Sequence, residues 1–297
     1  MFDLPSCNVS VIIPAYCAEK HISRAVQSIL RQTVFPKELI VVDDGSDDGT
    51  SKIIETYKQI ETPIKIITLY QSNQGAGAAR NYAIKYATSK YVAFLDADDE
   101  WLPSKLERSV LHIERGNYNL VGHNILMVKE GKQTKNDIFA RYEKASDGLF
   151  HGLYRRGFLS TSTIVTPLEQ IHRFGGFDVT LKVGQDFDLW LKMLEPRDAR
   201  ILVFNEYLAK YHVRNESITR NTDNRLSCTI RVARRHAPIL RDHKGSPIAS
   251  LWFRLLAIHH EAIRGHWESK QYISVFRVIM RFFRVIILET TRLARGG

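Results

Sequence analysis

Four short apolar runs alternate with helical patterns over the first third of the chain, and this alternation limits the fold more than any other feature. The runs are rich in β-branched residues, as buried strands are, and they read VSVIIPAY, ELIVVDD, IKIITLY and KYVAFLD. Between them apolar residues recur at helical spacing, and Thr50 or Ser51 offers an N-cap to the second helix. The alternation predicts an α/β fold with a mostly parallel, Rossmann-like sheet flanked by helices.

Acidic residues follow two of these strands. Ligands of a doubly wound sheet bind at the carboxyl ends of its strands, and Asp44 follows the second run while Asp96, Ala97 and Asp98 follow the fourth. This D-x-D triplet presents two carboxylates on one side of an extended chain, which suits a hard divalent cation that also holds a diphosphate. Such triplets are common in turns, so it is the position after a strand that favours a metal and nucleotide site.

The excess positive charge lies at the C-terminal end. Residues 1–211 contain 26 Lys and Arg against 26 Asp and Glu, whereas residues 212–297 contain 16 against 6. A neutral body with a basic tail predicts that the tail meets an anionic partner, either a membrane surface or nucleic acid. A solvated basic surface is the alternative.

The last segment of this tail has the pattern of a basic amphipathic helix. At about 100° per residue, its basic residues fall within an arc of about 80°, and they are Lys270, Arg277, Arg281, Arg284, Arg292 and Arg295. Much of the other side is apolar, with Phe276, Ile279, Phe283, Ile286 and Ile287. An apolar face beside arginines favours an anionic membrane surface over nucleic acid, which we do not expect as a partner. The alternative is that this face packs on the chain's own catalytic domain.

Cysteine usage and hydropathy bear on the compartment. Cys7, Cys17 and Cys228 are widely spaced and lack any CxxC pairing, so neither a disulfide framework nor a zinc site is expected. The sequence shows no signal-peptide pattern and no run of about 18 uncharged apolar residues. We therefore expect a cytoplasmic protein, attached peripherally to the inner face of the membrane through its C-terminal helix.

Several motifs occur together in the order and spacing of one enzyme family: VSVIIPAYCAEKHISRAVQSILRQT, ELIVVDDGSDDGT, NQGAGAARNYAI, YVAFLDADDEW, FGGFD and GQDFDLWLKM. Over residues 8–213 the chain resembles the family 2 glycosyltransferases. The resemblance implies the GT-A fold and transfer by single displacement with inversion. On this basis we expect a nucleotide-sugar-binding half at residues 1–100, an acceptor-binding half of the same domain at residues 101–212, and a basic helical extension at residues 213–297.

The resemblance also implies roles around the donor. It assigns the first nucleotide-contacting loop to Pro14, Ala15, Tyr16 and Glu19, and the uracil imide edge to Asp44, which favours UDP. Pro14 and Tyr16 have the alternative of a strand-ending turn and a core aromatic, and Asp44 with Gly45 suits a tight left-handed turn as well.

Further donor contacts lie in two later motifs. Gly75 allows close backbone approach, and Arg80 could pair with a phosphate or with Asp96. The resemblance implies that Asp96, with Ala97 beside it, contacts the ribose and that Asp98 binds Mn²⁺ or Mg²⁺. Asp99 is interpreted either as a partner of this turn or as the N-cap of the following helix.

An acceptor hydroxyl is a poor nucleophile and needs a carboxylate to take its proton. The family has a Glu-Asp pair before an apolar helix, and here the pair reads Gln185, Asp186. We expect Asp186 to be the base and Gln185 to keep a hydrogen bond to the acceptor. Asp188 is interpreted as a helix cap or surface residue rather than a second base, and Trp190 either as an acceptor platform or as a core residue.

A second departure from the family pattern lies in KYHVRNESIT. The family often shows Tyr-Arg-x-His, whereas this chain exchanges the order, with His212 first and Arg214 in the position of the histidine. Arg214 could neutralise the leaving diphosphate as a fixed cation. His212 is a candidate metal ligand or an ordinary satisfied histidine.

The predicted function is inverting, metal-dependent transfer of a hexose or N-acetylhexosamine from a UDP-sugar to a saccharide or lipid-linked saccharide, in surface polysaccharide or lipopolysaccharide assembly. The alternative is a non-catalytic protein that binds a nucleotide-sugar or an anionic surface. A calcium loop is a further alternative, since Asp44, Ser46, Asp48, Gly49 and Glu55 match EF-hand spacing, but LIVVD before it is strand-like. A nucleotidyltransferase is disfavoured because the first loop lacks a Gly-rich, basic triphosphate pattern.

Overall fold

A computed structural model describes residues 5–145, 148–213 and 222–295. The chain forms two compact units, and it passes between them several times. The first unit, called the sheet unit below, comprises Met1–Ala140, Leu159–Val179 and Asp198–Arg214. The second, called the helical unit, comprises Arg141–Phe158, Thr180–Arg197 and Asn215–Gly297.

The strands of the sheet unit form one nine-stranded sheet. In chain order they are β1 (Ser6–Ala15), β2 (Phe35–Asp43), β3 (Lys65–Tyr70), β4 (Tyr91–Phe94), β5 (Glu100–Trp101), β6 (Leu120–Lys129), β7 (Lys132–Asn136), β8 (Val165–Pro167) and β9 (Ile201–His212). Their spatial order is β3-β2-β1-β4-β8-β6-β9-β5, and β7 pairs with β6. Strands β1 to β4 are mutually parallel, whereas β8 runs antiparallel to both of its neighbours. The predicted Rossmann-like half is therefore confirmed, and a mixed half continues the same sheet.

Eleven α-helices accompany the sheet in the described ranges. They are α1 (Ile22–Leu30), α2 (Thr50–Tyr57), α3 (Ala76–Ile84), α4 (Lys105–Gly116), α5 (Ile138–Glu143), α6 (Leu149–Arg156), α7 (Leu168–Arg173), α8 (Gln185–Leu194), α9 (Thr222–His236), α10 (Pro247–Glu268) and α11 (Tyr272–Arg295). The carboxyl-terminal halves of β1 (residues 11–15) and β2 (residues 39–42) are continuous apolar runs, because a parallel sheet is covered on both faces. Helix α1 forms part of that cover, with Ile22, Val26 and Ile29 fully buried at helical spacing.

The helical unit contains α6, α8, α9, α10 and α11. Helix α10 is its centre and contacts α6, α9 and α11. Its buried residues Leu251, Leu255, Ile258 and Ala262 follow helical spacing, which explains why one face of it lies in the core. A helical C-terminal region was predicted and is confirmed. The functional boundaries expected at residues 100 and 212 stay predictions, and the compact units follow other boundaries because α6 and α8 pack with the C-terminal helices.

Helix α11 has three faces rather than the two that its sequence suggested. One apolar stripe is buried in the helical unit, and it contains Val275, Val278, Val285 and Leu293. A second apolar stripe stays exposed, with Phe276 and Ile287 each 65% accessible to solvent. The arginines form the third face, and they are exposed as well. The sequence offered two alternatives for one apolar face: packing on the chain's own domain, or contact with a partner. In the structure one apolar face of α11 is packed within the helical unit, and a second apolar face is exposed to solvent.

None of the helices in the described part of the chain is both long and apolar enough to cross a bilayer.

Candidate donor site and catalytic helix

The donor-site candidates of the sheet unit lie at one edge of the parallel strands. Strand β1 is flanked by β2 and β4, so the loops that follow these three strands leave the sheet at their common carboxyl edge. Asp44 follows β2, and its backbone N–H donates to the carbonyl of Ala15 at 2.8 Å. The D-x-D triplet follows β4. This is the edge at which open α/β sheets bind their ligands.

The first nucleotide loop begins at the end of β1. Pro14 and Ala15 are the last two residues of β1 and are buried, so Pro14 belongs to the strand rather than to a turn. Tyr16 is 49% exposed, which excludes the core-aromatic alternative and leaves its ring open for stacking. Glu19 accepts a hydrogen bond from the backbone N–H of Gly49 at 3.1 Å, so it braces the loop that follows β2.

Asp44 holds the next loop in place. Its side chain is only 2% exposed, and it accepts hydrogen bonds from Gln71 Nε2 at 2.7 Å and from the backbone N–H groups of Gln74 and Gly75 at 2.9 and 2.7 Å. The turn itself needs Gly45, which has φ of 75°, and a Cβ there would lie 2.7 Å from the backbone nitrogen of Asn73. Both the turn and the loop contacts are thus present, and uracil recognition by Asp44 stays a prediction.

The calcium-loop alternative concerns the same segment. Strand β2, and not a helix, precedes Asp44. An EF-hand requires a helix at that point, so the flank rules this alternative out.

Arg80 and Asp96 form an ion pair in the sheet unit. Arg80 Nη2 lies 2.5 Å from Asp96 Oδ1, which realises the second of the two partners considered for Arg80. The guanidinium carbon of Arg80 lies 5.3 Å from the centre of the Phe177 ring, and that ring meets Phe94 edge-on. The FGGFD motif therefore supports the DxD turn through Arg80.

Asp99 is the buried partner of this turn. It is 1% exposed, and Ser162 donates its hydroxyl to Asp99 Oδ2 at 2.5 Å while accepting from the backbone N–H of Asp96 at 3.2 Å. Burial, followed by the charges of Asp96 and Asp98, raises the pKa of Asp99 well above its usual value. The helix-cap interpretation was wrong, because α4 begins at Lys105 with Ser104 in the cap position.

The carboxylates of the DxD turn fit a divalent cation by their chemistry, because Mn²⁺ and Mg²⁺ bind carboxylate oxygens. Asp98 is half-buried, and its carbonyl accepts from Arg24 Nη2 at 2.6 Å. Asp99 Oδ1 is buried and accepts no hydrogen bond from the residues that the structure describes. Within the same ranges, no group of three or more potential ligands would hold an ion by itself. An ion here would need oxygens from a diphosphate as well, as hard cations at nucleotide sites commonly do.

His212 lies beside the DxD turn at the end of β9. Its Nε2 is 3.5 Å from Glu100 Oε2, and burial, with the charge of Arg24 adding to it, lowers the pKa of His212. The ring is therefore neutral at pH 7, which is the form that binds metals. Arg214, the other candidate of this motif, lies outside the described residues.

The candidate base is carried by the helical unit, on the first turn of α8. Gly184 occupies the N-cap with φ of 79°, and Gln185 and Asp186 are the first two residues of the helix, both half-buried. Asp186 Oδ1 accepts from the backbone N–H of Phe187 at 2.8 Å. Trp190 is fully buried, which matches the core alternative and not the acceptor platform.

Asp188 differs from its expected role. It is fully buried, and it pairs with Lys192 on its own helix and with Arg235 and His236 at the end of α9. The cap and surface interpretations were wrong, because the cap is Gly184, Asp188 is fully buried, and two of its three cationic partners come from a helix far along the chain. Burial opposes the charge of Asp188, but hydrogen bonds from His236 and Lys192 outweigh it and lower its pKa to about 2.

Comparison with known proteins tests the family assignment. The sequence model described as Glycosyl transferase family 2 matches residues 10–164. The chain is also 34% identical over 215 residues to the putative teichuronic acid biosynthesis glycosyltransferase TuaG of Bacillus subtilis (strain 168), covering 72% of this chain and 82% of that relative.

The chain is a family 2 glycosyltransferase.

Other relatives of this family 2 glycosyltransferase agree with the assignment. It is 29% identical over 248 residues to the UDP-Glc:alpha-D-GlcNAc-diphosphoundecaprenol beta-1,3-glucosyltransferase WfgD of Escherichia coli, covering 83% of this chain and 90% of the relative. The structure of S. aureus TarS 1-349 with UDP-GlcNAc has a TM-score of 0.67 at 21% identity, covering 94% of this chain and 81% of that TarS 1-349 chain. The mannosyltransferase PcManGT of Pyrobaculum calidifontis, with GDP-Man and Mn2+, has a TM-score of 0.60 at 15% identity, covering 97% and 87%. The predicted family, enzyme class and GT-A fold are confirmed.

Proposed function

We propose that this glycosyltransferase moves a hexose or N-acetylhexosamine from a UDP-sugar to an acceptor hydroxyl, with inversion and with Mn²⁺ or Mg²⁺. The observation that carries the proposal is the presence of Asp44, Asp96 and Asp98 at the carboxyl edge of three neighbouring strands. Two relatives support UDP as the nucleotide: WfgD is named for a UDP-Glc donor, and TarS was solved with UDP and with UDP-GlcNAc.

In this proposal the sheet unit binds the donor. Tyr16 stacks on the uracil ring, Asp44 accepts from its imide, and Asp96 accepts from the ribose while Arg80 holds it in place. Asp98 binds the metal, with His212 as a second ligand and Arg214 as a cation for the diphosphate. A bound Mn²⁺ or Mg²⁺ would offset the negative charge that the diphosphate gains as it leaves.

The helical unit supplies the base. Asp186 takes the proton of the acceptor hydroxyl, and the acceptor oxygen forms a bond to the anomeric carbon as the bond from that carbon to the diphosphate breaks on the opposite face. One displacement inverts the configuration, the proton stays on Asp186, and UDP departs with the electron pair. The amide of Gln185 cannot act as a base, but it can donate and accept hydrogen bonds. Gln185 therefore orients the acceptor by a hydrogen bond.

Titration calorimetry with UDP, then GDP, with and without Mn²⁺, tests the donor site. We expect UDP binding that depends on the metal and is lost in Asp98→Ala, with GDP binding more weakly. Asp186→Asn is the matched control, because it should bind UDP as the wild type does while turnover falls by about 10²- to 10⁴-fold. Absence of nucleotide binding under every condition would overturn the proposed donor, and wild-type turnover by Asp186→Asn would overturn the proposed base.

The acceptor is proposed from the relatives. TuaG is named for teichuronic acid biosynthesis, and WfgD acts on a sugar linked to diphosphoundecaprenol. We therefore place this enzyme in the assembly of a surface polysaccharide or lipopolysaccharide, with a saccharide or lipid-linked saccharide as acceptor. Turnover on a saccharide-diphosphate-polyprenol acceptor, measured with a set of UDP-hexoses and UDP-N-acetylhexosamines, identifies both substrates.

An exposed apolar face on α10 and α11 supports peripheral attachment to an anionic membrane. The exposed apolar surface of α11, which includes Phe276, extends onto α10, where Trp267 is 61% exposed. The rings of Trp267 and Tyr272 meet edge-on, with their centres 5.3 Å apart. At the other end of the pair, Trp252 Nε1 donates to Thr290 Oγ1 at 2.8 Å. Aromatic rings beside exposed arginines are typical of helices that lie in a bilayer interface. The face, called the α10–α11 face below, suits a cytoplasmic enzyme at the inner side of a membrane.

Sedimentation with phosphatidylglycerol vesicles tests the attachment. We expect the wild type to sediment with these vesicles, and deletion of residues 267–297 or the pair Phe276→Ser and Ile287→Ser to leave it in the supernatant. Tyr86→Ser removes a similarly exposed ring from the sheet unit and should change nothing. Unchanged sedimentation of the α11 variants would contradict the proposal.

A further inference from the structure

A buried cluster of charges joins α8 to the end of α9 within the helical unit. Both oxygens of Asp188 lie 2.8 Å from Arg235 Nη1, and Asp188 also accepts from His236 Nε2 and Lys192 Nζ, each at 2.9 Å. Asp188 and His236 are both fully buried. A buried carboxylate is costly unless it is paired, and removing one partner of such a pair is strongly destabilising. The cluster therefore holds α8 against α9 in a defined way.

His236 contacts α8 at two points. Its Nε2 bonds to Asp188 in the first turn of α8, while its Nδ1 lies 2.9 Å from Glu195 Oε1, directly after the last turn. Burial opposes the charge of His236, but hydrogen bonds to the two carboxylates outweigh it and raise its pKa. A ring held at both nitrogens has one orientation. Helix α8 consequently cannot rotate or slide along α9 without breaking bonds at both of its ends.

Asp186 shares the first turn of α8 with Asp188. A general base must come within about 2.6–3.2 Å of the proton that it takes, and a misplacement of about 1 Å can cost about 10²-fold in rate. We infer that Arg235 and His236 are positioning residues, which fix α8 through Asp188 and thereby fix the carboxylate of Asp186. The inference rests on the proposed role of Asp186 as the base.

The residue next to Arg235 provides a matched comparison. Arg234 pairs with Glu289, which is also buried, at 2.7 Å, but Glu289 belongs to α11 and not to α8. The last turn of α9 thus carries two consecutive arginines, each bound to a buried carboxylate of a different helix. Loss of either ion pair removes similar interactions from the helical unit. Of these two ion pairs, only that of Arg235 involves the helix that carries Asp186.

Kinetics of Arg235→Gln and Arg234→Gln in the full chain test the inference. We expect Arg235→Gln to lower kcat by about 10- to 100-fold, with the donor KM and the calorimetric affinity for UDP unchanged, because the donor site lies in the sheet unit. Arg234→Gln should keep kcat within about twofold, although both variants lose a buried ion pair and melt earlier. Arg235→Lys, which keeps the charge, should recover part of kcat.

Each other outcome decides against a defined step. Equal losses of kcat in the two Gln variants, or no loss in Arg235→Gln, would show that the cluster only stabilises the fold. Should Arg235→Gln fail to fold, His236→Gln provides the same comparison with Arg234→Gln. Asp186→Asn separates the two proposals. Wild-type turnover in Asp186→Asn would overturn both the proposed base and this inference. Loss of turnover in Asp186→Asn together with full activity of Arg235→Gln would overturn this inference alone.

Discussion

In the candidate donor site, individual carboxylates are already held by hydrogen bonds and ion pairs within the protein itself. Asp44 accepts three hydrogen bonds from the segment that follows β3, and Asp96 is paired with Arg80. Their oxygens therefore occupy fixed positions, and little side-chain freedom remains to be lost when a ligand binds. The same residues link the loops to one another, so a substitution at either one affects more than its own contact.

Asp44→Asn should weaken UDP binding by about 10- to 100-fold, since hydrogen bonds to a charged group are worth about 1.5–3 kcal/mol. An amide offers one acceptor oxygen, and its NH2 group would face the N–H of Gln74 or Gly75. Calorimetry measures the affinity. Gln71→Ala is the control. It removes one of the three hydrogen-bond donors to Asp44 and should lower the affinity for UDP by about fivefold, which corresponds to about 1 kcal/mol. Wild-type affinity in Asp44→Asn would show that the loop forms without this carboxylate.

Lys105→Met should stabilise the sheet unit. Lys105 is fully buried, its ammonium nitrogen lies 3.9 Å from the centre of the Trp101 ring, and it makes no hydrogen bond to the described residues. Burial lowers the pKa of Lys105 well below its usual value, so folding disfavours the protonated amine relative to the unfolded chain, which costs stability. We expect a gain of about 1–3 kcal/mol in the free energy of unfolding at pH 7.

The gain should shrink as the pH approaches about 10.4, where an unfolded lysine also loses its proton. Chemical denaturation at several pH values measures it. A variant less stable than the wild type at pH 7 would mean that the amine contributes more by its contact with Trp101 than it costs by burial.

At the scale of helices and strands, local patterns predicted the elements but not their partners. β1 to β4 were found from their apolar runs, because strands covered on both faces leave that pattern in the sequence. The pairing of β4 with β8 joins Tyr91 to Pro167 and has no local signal. Asp188 was misassigned for the same reason, since two of its three cationic partners belong to α9, and Ser162 was missed because nothing in its own segment points to the DxD turn.

The contact of α8 with α9 should make stability depend on pH. The pKa of His236 is raised in the folded state, so its contribution is fully present below the unfolded value of about 6.5 and is lost as the pH rises through the folded value. We expect the free energy of unfolding of the wild type to fall over this interval and that of His236→Gln to fall less. Denaturation of both proteins from pH 6 upward measures the difference, and parallel curves would contradict it.

At the scale of the whole molecule, the excess positive charge and an exposed apolar surface lie in the same part of the chain. The basic excess belongs to residues 212–297, which also carry the α10–α11 face. An apolar face alone would suit any apolar partner, and charge alone any anion. Their combination is the reason why we propose an anionic phospholipid bilayer as the partner, since a bilayer has a charged surface and an apolar interior.

Vesicle binding should therefore have a salt-sensitive and a salt-resistant part. Raising the salt from about 0.01 M to about 1 M shortens the Debye length from about 30 Å to about 3 Å, which removes the attraction of the arginines. We expect Arg281→Gln with Arg284→Gln to weaken binding at low salt, by about fivefold for each charge, and to have little effect at high salt. Binding that does not change with salt would contradict the role of the arginines.

The sheet order has a consequence for synthesis. Strand β4 pairs with β1 on one side and with β8 on the other, and β8 begins at Val165, about 70 residues after β4 ends. A ribosome that adds about 5–20 residues per second needs about 4–14 s to cover this distance. For that time one edge of β4, whose four residues are all buried in the finished sheet, has no strand beside it. Neighbouring nascent chains on one messenger RNA can pair through this edge, and slower translation of residues 95–167 lengthens the interval in which they do so.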